Sequence, residues 1–95
     1  MKHYTILKLK PGADAVEVQQ KIRKAYDKLD GELDWANHPV VYRACEESAE
    51  SANVMAVIEL DGVERLAELP ANPHYAKLTE KLRDVVAERI TFDHY

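Results

Sequence analysis

Three segments of this chain carry apolar side chains at successive positions, so that as β-strands they would be greasy on both faces. The clearest is Val54-Met55-Ala56-Val57-Ile58. Side chains alternate across a strand, so Val54, Ala56 and Ile58 point one way and Met55 and Val57 the other. Between Lys2 and Lys10 the same reading sets Tyr4 and Ile6 against Thr5, Leu7 and Leu9. Between Val40 and Glu46 it sets Val40, Tyr42 and Ala44 against Val41 and Cys45. A sheet with one wet face alternates apolar with polar residues; strands like these need cover on both sides.

The rest of the chain supplies cover for one side. From Asp14 the period changes: Val18, Ile22, Ala25, Tyr26 and Leu29 form one stripe of an α-helix, which Asp30-Gly31 is expected to stop. Glu32 to Pro39 reads as a connection containing Trp35 and His38, and an acidic loop runs to Ser51 after the second strand. The third strand, Asn53 to Leu60, ends at Asp61-Gly62, and a short helix follows over Val63 to Leu69. Asn72-Pro73 opens another helix, with asparagine as N-cap and proline where its missing N–H costs nothing. The stripe of that helix is Tyr75, Leu78, Leu82, Val85 and Val86, and Ile90 to Tyr95 is the last strand. The order β-α-β-β-α-α-β predicts an α+β fold, the ferredoxin-like plait: a four-stranded antiparallel sheet with its helices on one face. Ninety-five residues make a single domain, 1–95.

The helix-free face then needs a partner. About six apolar side chains there, each worth roughly 1.5–3 kcal/mol when buried, would forfeit on the order of 10 kcal/mol if left wet. That is comparable with the whole stability of a small domain. A second copy, sheet against sheet under two-fold symmetry, is the economical cover, so the chain is expected to form a homodimer. The alternative is a monomer with a partly apolar sheet surface.

Composition removes other partners. With 13 basic against 17 acidic residues the net charge is −4. The one basic cluster, Lys21, Arg23, Lys24 and Lys28, is interleaved with Glu17, Asp27 and Asp30, which reads as a solvated helix face and not a nucleic-acid surface. A lone cysteine, Cys45, allows no intrachain disulfide. The chain opens directly into a strand with no signal-peptide pattern, and no apolar run reaches the roughly 18–20 residues that span a bilayer. A cytoplasmic location is the expectation, with no membrane partner. The four histidines show no zinc-site spacing, and Gly12, Gly31 and Gly62 are isolated, so neither a metal nor a phosphate-bearing cofactor is expected.

The residues Lys2-His3-Tyr4-Thr5-Ile6-Leu7-Lys8-Leu9-Lys10-Pro11-Gly12 resemble the first strand of the stress-responsive A/B barrel (Dabb) family, a Lys-His pair before an apolar strand and Lys-Pro-Gly. Leu66 to Tyr75 resembles the family's short helix leading to a His-Pro-x-His motif, and Val86 to Tyr95 its closing strand. The resemblance spans essentially the whole chain and implies two ferredoxin-like subunits paired into a dimeric α/β barrel. It also implies an activity seen in related plant members: polyketide cyclisation without metal or cofactor, using a strand-one histidine and the histidine that ends His-Pro-x-His. His3 matches the first of these. Asn72 stands for the motif's first histidine, Tyr75 for its second, and Leu69 where such cyclases carry tyrosine.

The candidate site residues are therefore His3 and Tyr75. His3 shares a strand face with Thr5, Leu7 and Leu9, which by the resemblance looks toward a cavity between sheet and helices; there it would act as acid/base or orient a ligand. The simpler role is a histidine satisfied by a neighbour near a strand end. Tyr75 begins an apolar stripe, so it packs in the core with its hydroxyl at the rim; as a ligand contact it would donate a hydrogen bond to a phenolate or enolate. With a reference pKa near 10 a phenol is a poor general base at neutral pH. His74, about 100° further round the helix, points away. His38 is a candidate for a pocket mouth, Trp35 an anchor for its loop, and His94 a dimer-boundary residue sharing parity with Ile90 and Phe92. The leading expectation is a dimeric barrel that binds a small, partly apolar organic molecule or serves a stress-response role. The alternatives are a cofactor-independent cyclase-like or monooxygenase-like enzyme with His3 as acid/base, and a purely structural assembly module.

Overall fold

Strand β1 (Lys2–Leu9) runs antiparallel between β3 (Val54–Leu60) and β4 (Val86–His94), and β2 (Ala36–Arg43) flanks β3, giving a four-stranded sheet of order β2-β3-β1-β4. Helices α1 (Ala15–Glu32) and α3 (Pro73–Leu82) lie on one face; α2 (Arg65–Glu68) and a 3₁₀ turn (Leu69–Ala71) lead into α3. The computed structural model describes residues Met1–Tyr95. This is the α+β plait expected from the order of elements, with all pairing antiparallel.

The core sits where two periodicities meet. β1 turns His3, Thr5, Leu7 and Leu9 inward, and β3 turns Val54, Ala56, Ile58 and Leu60 inward, all buried. Against them α1 presses Val18, Ile22, Tyr26 and Leu29, and α3 presses Tyr75, Leu78 and Leu82. Leu29 has no exposed surface; truncating such a residue to alanine costs about 2–5 kcal/mol. Asp14 caps α1 by accepting from Val16 N–H and Glu17 N–H, and Asn72 caps α3 by accepting from His74 N–H at 2.9 Å. No helix is long and apolar enough to cross a membrane.

Boundaries depart from the sequence expectation at several places, among them the end of β2 at Arg43 and not Glu46. α1 continues through Gly31 to Glu32, because Leu33 N–H closes on Leu29 O at 2.9 Å and Glu32 reaches His74 Nε2 at 2.8 Å; both hold a last turn that glycine alone would loosen. β2 begins at Ala36, not Val40: Ala36 pairs with Leu60 and Asn37 with Glu59 before a bulge. The bulge takes up His38 at φ 54° and Pro39, which has no N–H to give a ladder. β4 begins at Val86 and not at Ile90, and α3 stops at Leu82 although the apolar stripe runs on to Val86; Lys10 N–H donates to Val85 O at 2.8 Å.

Candidate functional site

The helices cover β2, β3 and β1 and stop short of β4, whose residues beyond Val86 are all exposed. The step between α3 and β4 is a cleft of about 460 Å³. Its walls are apolar: Leu7 from β1, Ile22 from α1, Ala56 from β3, Leu78 and Leu82 from α3, and Val86. Four hydroxyl-bearing residues also line it, Thr5, Tyr26, Tyr75 and Thr79, together with the charged Glu80, Arg83, Glu88 and Arg89. A cleft of this size and character, apolar with a few converging polar groups, is the usual form of a small-molecule site.

Tyr75 reaches the cleft because Asn72 and Pro73 fix the first turn of α3 and aim its third residue at the sheet. Its phenol oxygen accepts a hydrogen bond from Arg89 Nη2 at 2.9 Å, which leaves its own proton free to be donated. Tyr26, on α1, has 2% of its surface exposed. Burial pushes its phenol well above the ordinary value, the Tyr75 phenol adds to the rise, and the Thr5 hydroxyl and the Arg89 guanidinium pull the other way. Tyr26 is thus a neutral hydrogen-bonding group at any physiological pH.

His3 stands one residue behind the cleft, not on its lining. The antiparallel register sets it opposite Asp93, and Nδ1 lies 2.5 Å from Asp93 Oδ1. An ionised carboxylate can only accept, so Nδ1 carries the hydrogen and, in the neutral ring, Nε2 is an acceptor. Nε2 faces the Thr5 hydroxyl at 3.4 Å, and Thr5 is on the cleft. No hydrogen bond joins His3 to Tyr75; the two meet only through Thr5 and the space in front of it. The polar groups run from Asp93 through His3 to Thr5, whose hydroxyl also meets the Tyr26 phenol, with Tyr75 and Arg89 bonded to one another nearby.

The remaining histidines lie elsewhere. His74 turns from the cleft to Glu32, as its helical phase predicted. His38 pairs with Glu59 Oε2 at 3.0 Å on the helix-free side of the sheet, where both line a second pocket of about 320 Å³, apart from the cleft. His94 stacks on Tyr4 at 5.5 Å between ring centroids and bonds its hydroxyl at 3.0 Å, on the same helix-free face as Phe92. Trp35 packs against the core and carries the Arg65 guanidinium 5.1 Å from its ring centroid, the anchoring role expected of it. No three His, Cys, Asp or Glu side chains gather where they could hold a metal ion.

Sequence reasoning passed over Asp93, Arg89 and the hydroxyl of Tyr26. Arg89, Thr91 and Asp93 alternate along β4, a polar row that signals one face of an edge strand. What that row meets depends on register: Leu7 faces Arg89, Thr5 faces Thr91 and His3 faces Asp93. Periodicity in one strand cannot reveal a pairing that is set by two.

Solved structures share this architecture at low identity. A dimeric protein of ferredoxin-like fold from Bacteroides fragilis superposes with TM-score 0.81 and 17% identity, covering 98% of this chain and 92% of that one. A Bacteroides thetaiotaomicron protein, provisionally designated an antibiotic biosynthesis monooxygenase, gives TM-score 0.77 and 14% identity over 100% of this chain and 87% of that one. A Dabb family protein from Mesorhizobium loti gives 0.71 and 13% over 99% and 93%. No curated protein matches the chain by sequence. The family model for the stress responsive A/B barrel domain matches residues 1–95, the same stretch that carries the Lys-His strand, the altered His-Pro-x-His turn and the closing strand, and the chain belongs to that family.

Proposed function

We propose that this protein is a homodimer that binds a small, partly apolar organic molecule in the cleft between α3 and β4 of each subunit. The observation that carries the reading is the cleft itself: largely apolar walls, with the hydroxyl-bearing Thr5, Tyr26 and Tyr75 among its lining. Dimerisation draws on the opposite side of the sheet, where Tyr42 is 51%, Ile90 58% and Phe92 59% exposed. Several proteins of the same fold are described as dimeric. Of the other large exposed apolar side chains, Val40 shares this face, Val16 lies in the first turn of α1, Val63 follows β3 and Tyr95 follows β4. That leaves little for the assembly-module reading, which needs a second apolar surface.

The Asp93–His3 pair favours a second reading, acid/base catalysis on the bound molecule without a cofactor. Asp93 orients the ring, and Nε2 draws on the hydroxyl of Thr5, a residue that lines the cleft. A proton moves between ligand and His3 through that hydroxyl, so His3 acts at one remove from the reacting atoms. Tyr75 and Arg89 sit where negative charge on an enolate or phenolate oxygen would be stabilised. This is the kind of chemistry a cyclase-like or monooxygenase-like member would use.

The test is a thermal-shift screen of small aromatic and polyketide-like compounds. A ligand present at about a hundred times its Kd stabilises by about 2.7 kcal/mol, which is several degrees in Tm for a chain of this length. Thr79→Trp, on the exposed face of α3 at the cleft, should leave the fold intact and abolish the shift. If no compound raises Tm, or if Thr79→Trp leaves the shift unchanged, the cleft is not the binding site.

A further inference from the structure

The cleft holds a cation that the fold does not neutralise. Arg89 projects from β4 toward Tyr75, and the Tyr75 hydroxyl is its single protein partner. Arg65 pairs with Asp61 and Glu68 and Arg83 with Glu80; Arg23, Arg43 and Arg89 have no carboxylate within ion-pair distance, and of these three Arg89 alone lines the cleft. Glu80 and Arg83, at the rim, offset one another. Glu88, the neighbour in sequence, also lines the cleft, but it stands opposite Lys8 in register, its side chain alternates to the other face of the strand, and it makes no ion pair with Arg89. From these contacts we infer that the cleft selects ligands with an anionic group, a carboxylate in the first instance, seated on the Arg89 guanidinium with the Tyr75 hydroxyl as second donor.

The chemistry of the two side chains points to this group. A guanidinium offers five N–H donors in a planar fork, of which one goes to Tyr75, and the fork matches a carboxylate edge. Because Tyr75 accepts from Arg89, its own O–H is directed elsewhere and can donate to the same anion. The apolar floor of Leu7, Ile22 and Leu78 then takes the body of the molecule. Arg89 also raises the potential at the Tyr26 hydroxyl, so its charge is felt inside the cleft and not only at the rim. Charge-assisted bonds of this type are roughly twice as strong as neutral ones, enough to discriminate an acid from its amide.

This inference rests on the cleft being a ligand site, and the experiment separates the two. Binding of 2-naphthoate and of neutral 2-naphthamide is measured by isothermal titration and by chemical-shift perturbation on the intact protein. The expected result is at least tenfold tighter binding of the acid, weakening as salt is raised. Arg89→Gln should remove that preference while naphthamide binding persists, and Arg89→Lys should keep part of it. Equal affinities on the unaltered protein, or a preference that survives Arg89→Gln, would overturn the anion site and leave the apolar cleft standing. Failure of both compounds to bind at millimolar concentration would sink the anion site and the cleft reading together.

Discussion

Tyr26 is a phenol sealed between α1 and the sheet, and its burial ties stability to pH at the alkaline end. Its ionisation is pushed above the ordinary value near 10 in the folded chain, first by desolvation and then by Tyr75. In the unfolded chain it ionises normally. Stability from the neutral buried form is therefore fully present below about pH 10 and is lost as pH rises through the folded value, by up to about 1.4 kcal/mol per pH unit. Urea titrations between pH 8 and 11 should show a shallower alkaline decline in Tyr26→Phe than in the unaltered chain; parallel declines would mean that the phenol is not held neutral. Asp93→Ala acts through a different cost. It leaves the buried His3 Nδ1 without its acceptor, and should destabilise by about 1–3 kcal/mol, where an exposed pair such as Lys21–Glu17 would move stability by under about 1 kcal/mol. His3 and Tyr75 were picked out through the family resemblance, as the counterparts of the strand-one histidine and of the histidine that ends His-Pro-x-His. Asp93 and Arg89 were not, because their meaning lies in which residues of β1 and α3 they face.

At the scale of elements, α3 aims the site and Asn72 aims α3. The Asn72 side chain accepts from His74 N–H, Pro73 occupies the first helical position, and Tyr75 follows where the turn brings it onto the sheet. Asn72→Ala should cost about 1 kcal/mol of stability by removing the cap. It should also broaden the Tyr75 ring resonances and loosen the Arg89 contact; a variant with the lost stability but an unchanged Tyr75 environment would show that Pro73 alone positions the turn. This part of the fold was legible, since capping chemistry is local: Asn before Pro before an apolar stripe has one economical reading. The start of β4 was less so. Val85 and Val86 fit the end of a helical stripe and the start of a strand equally well, and the choice is made by Leu9 and Lys10, which pair with them from far away in sequence. The bulge at His38 and Pro39 was hidden for the same reason. Proline signals an interruption, and only the partner strand shows that pairing resumes on both sides of it.

For the whole molecule, two faces of one sheet have been given separate work: the cleft lies on the helix side, and the apolar surface proposed for pairing lies on the other. Tyr4, Phe92 and His94 form a contiguous aromatic group there, with Tyr4 and Phe92 centroids 6.1 Å apart, next to Ile90 and across the sheet from Tyr42. Phe92 and Ile90 are more than half exposed in the single subunit, so charges placed at them disturb no internal packing. In a sheet-to-sheet dimer the same charges would be buried without partners, at a cost of several kcal/mol. The double variant Ile90→Glu, Phe92→Glu should therefore sediment as a 10.8 kDa particle, against twice that mass for the unaltered chain, while keeping the α+β circular-dichroism spectrum. Its Tm should fall and lose its dependence on concentration, because subunit association contributes to apparent stability. Its cleft, formed within one chain, should still bind a ligand wherever the variant remains folded. Sedimentation of the unaltered chain at 10.8 kDa across a wide concentration range would end the dimer proposal, and loss of ligand binding in a folded monomeric variant would mean that the cleft is completed by the second subunit.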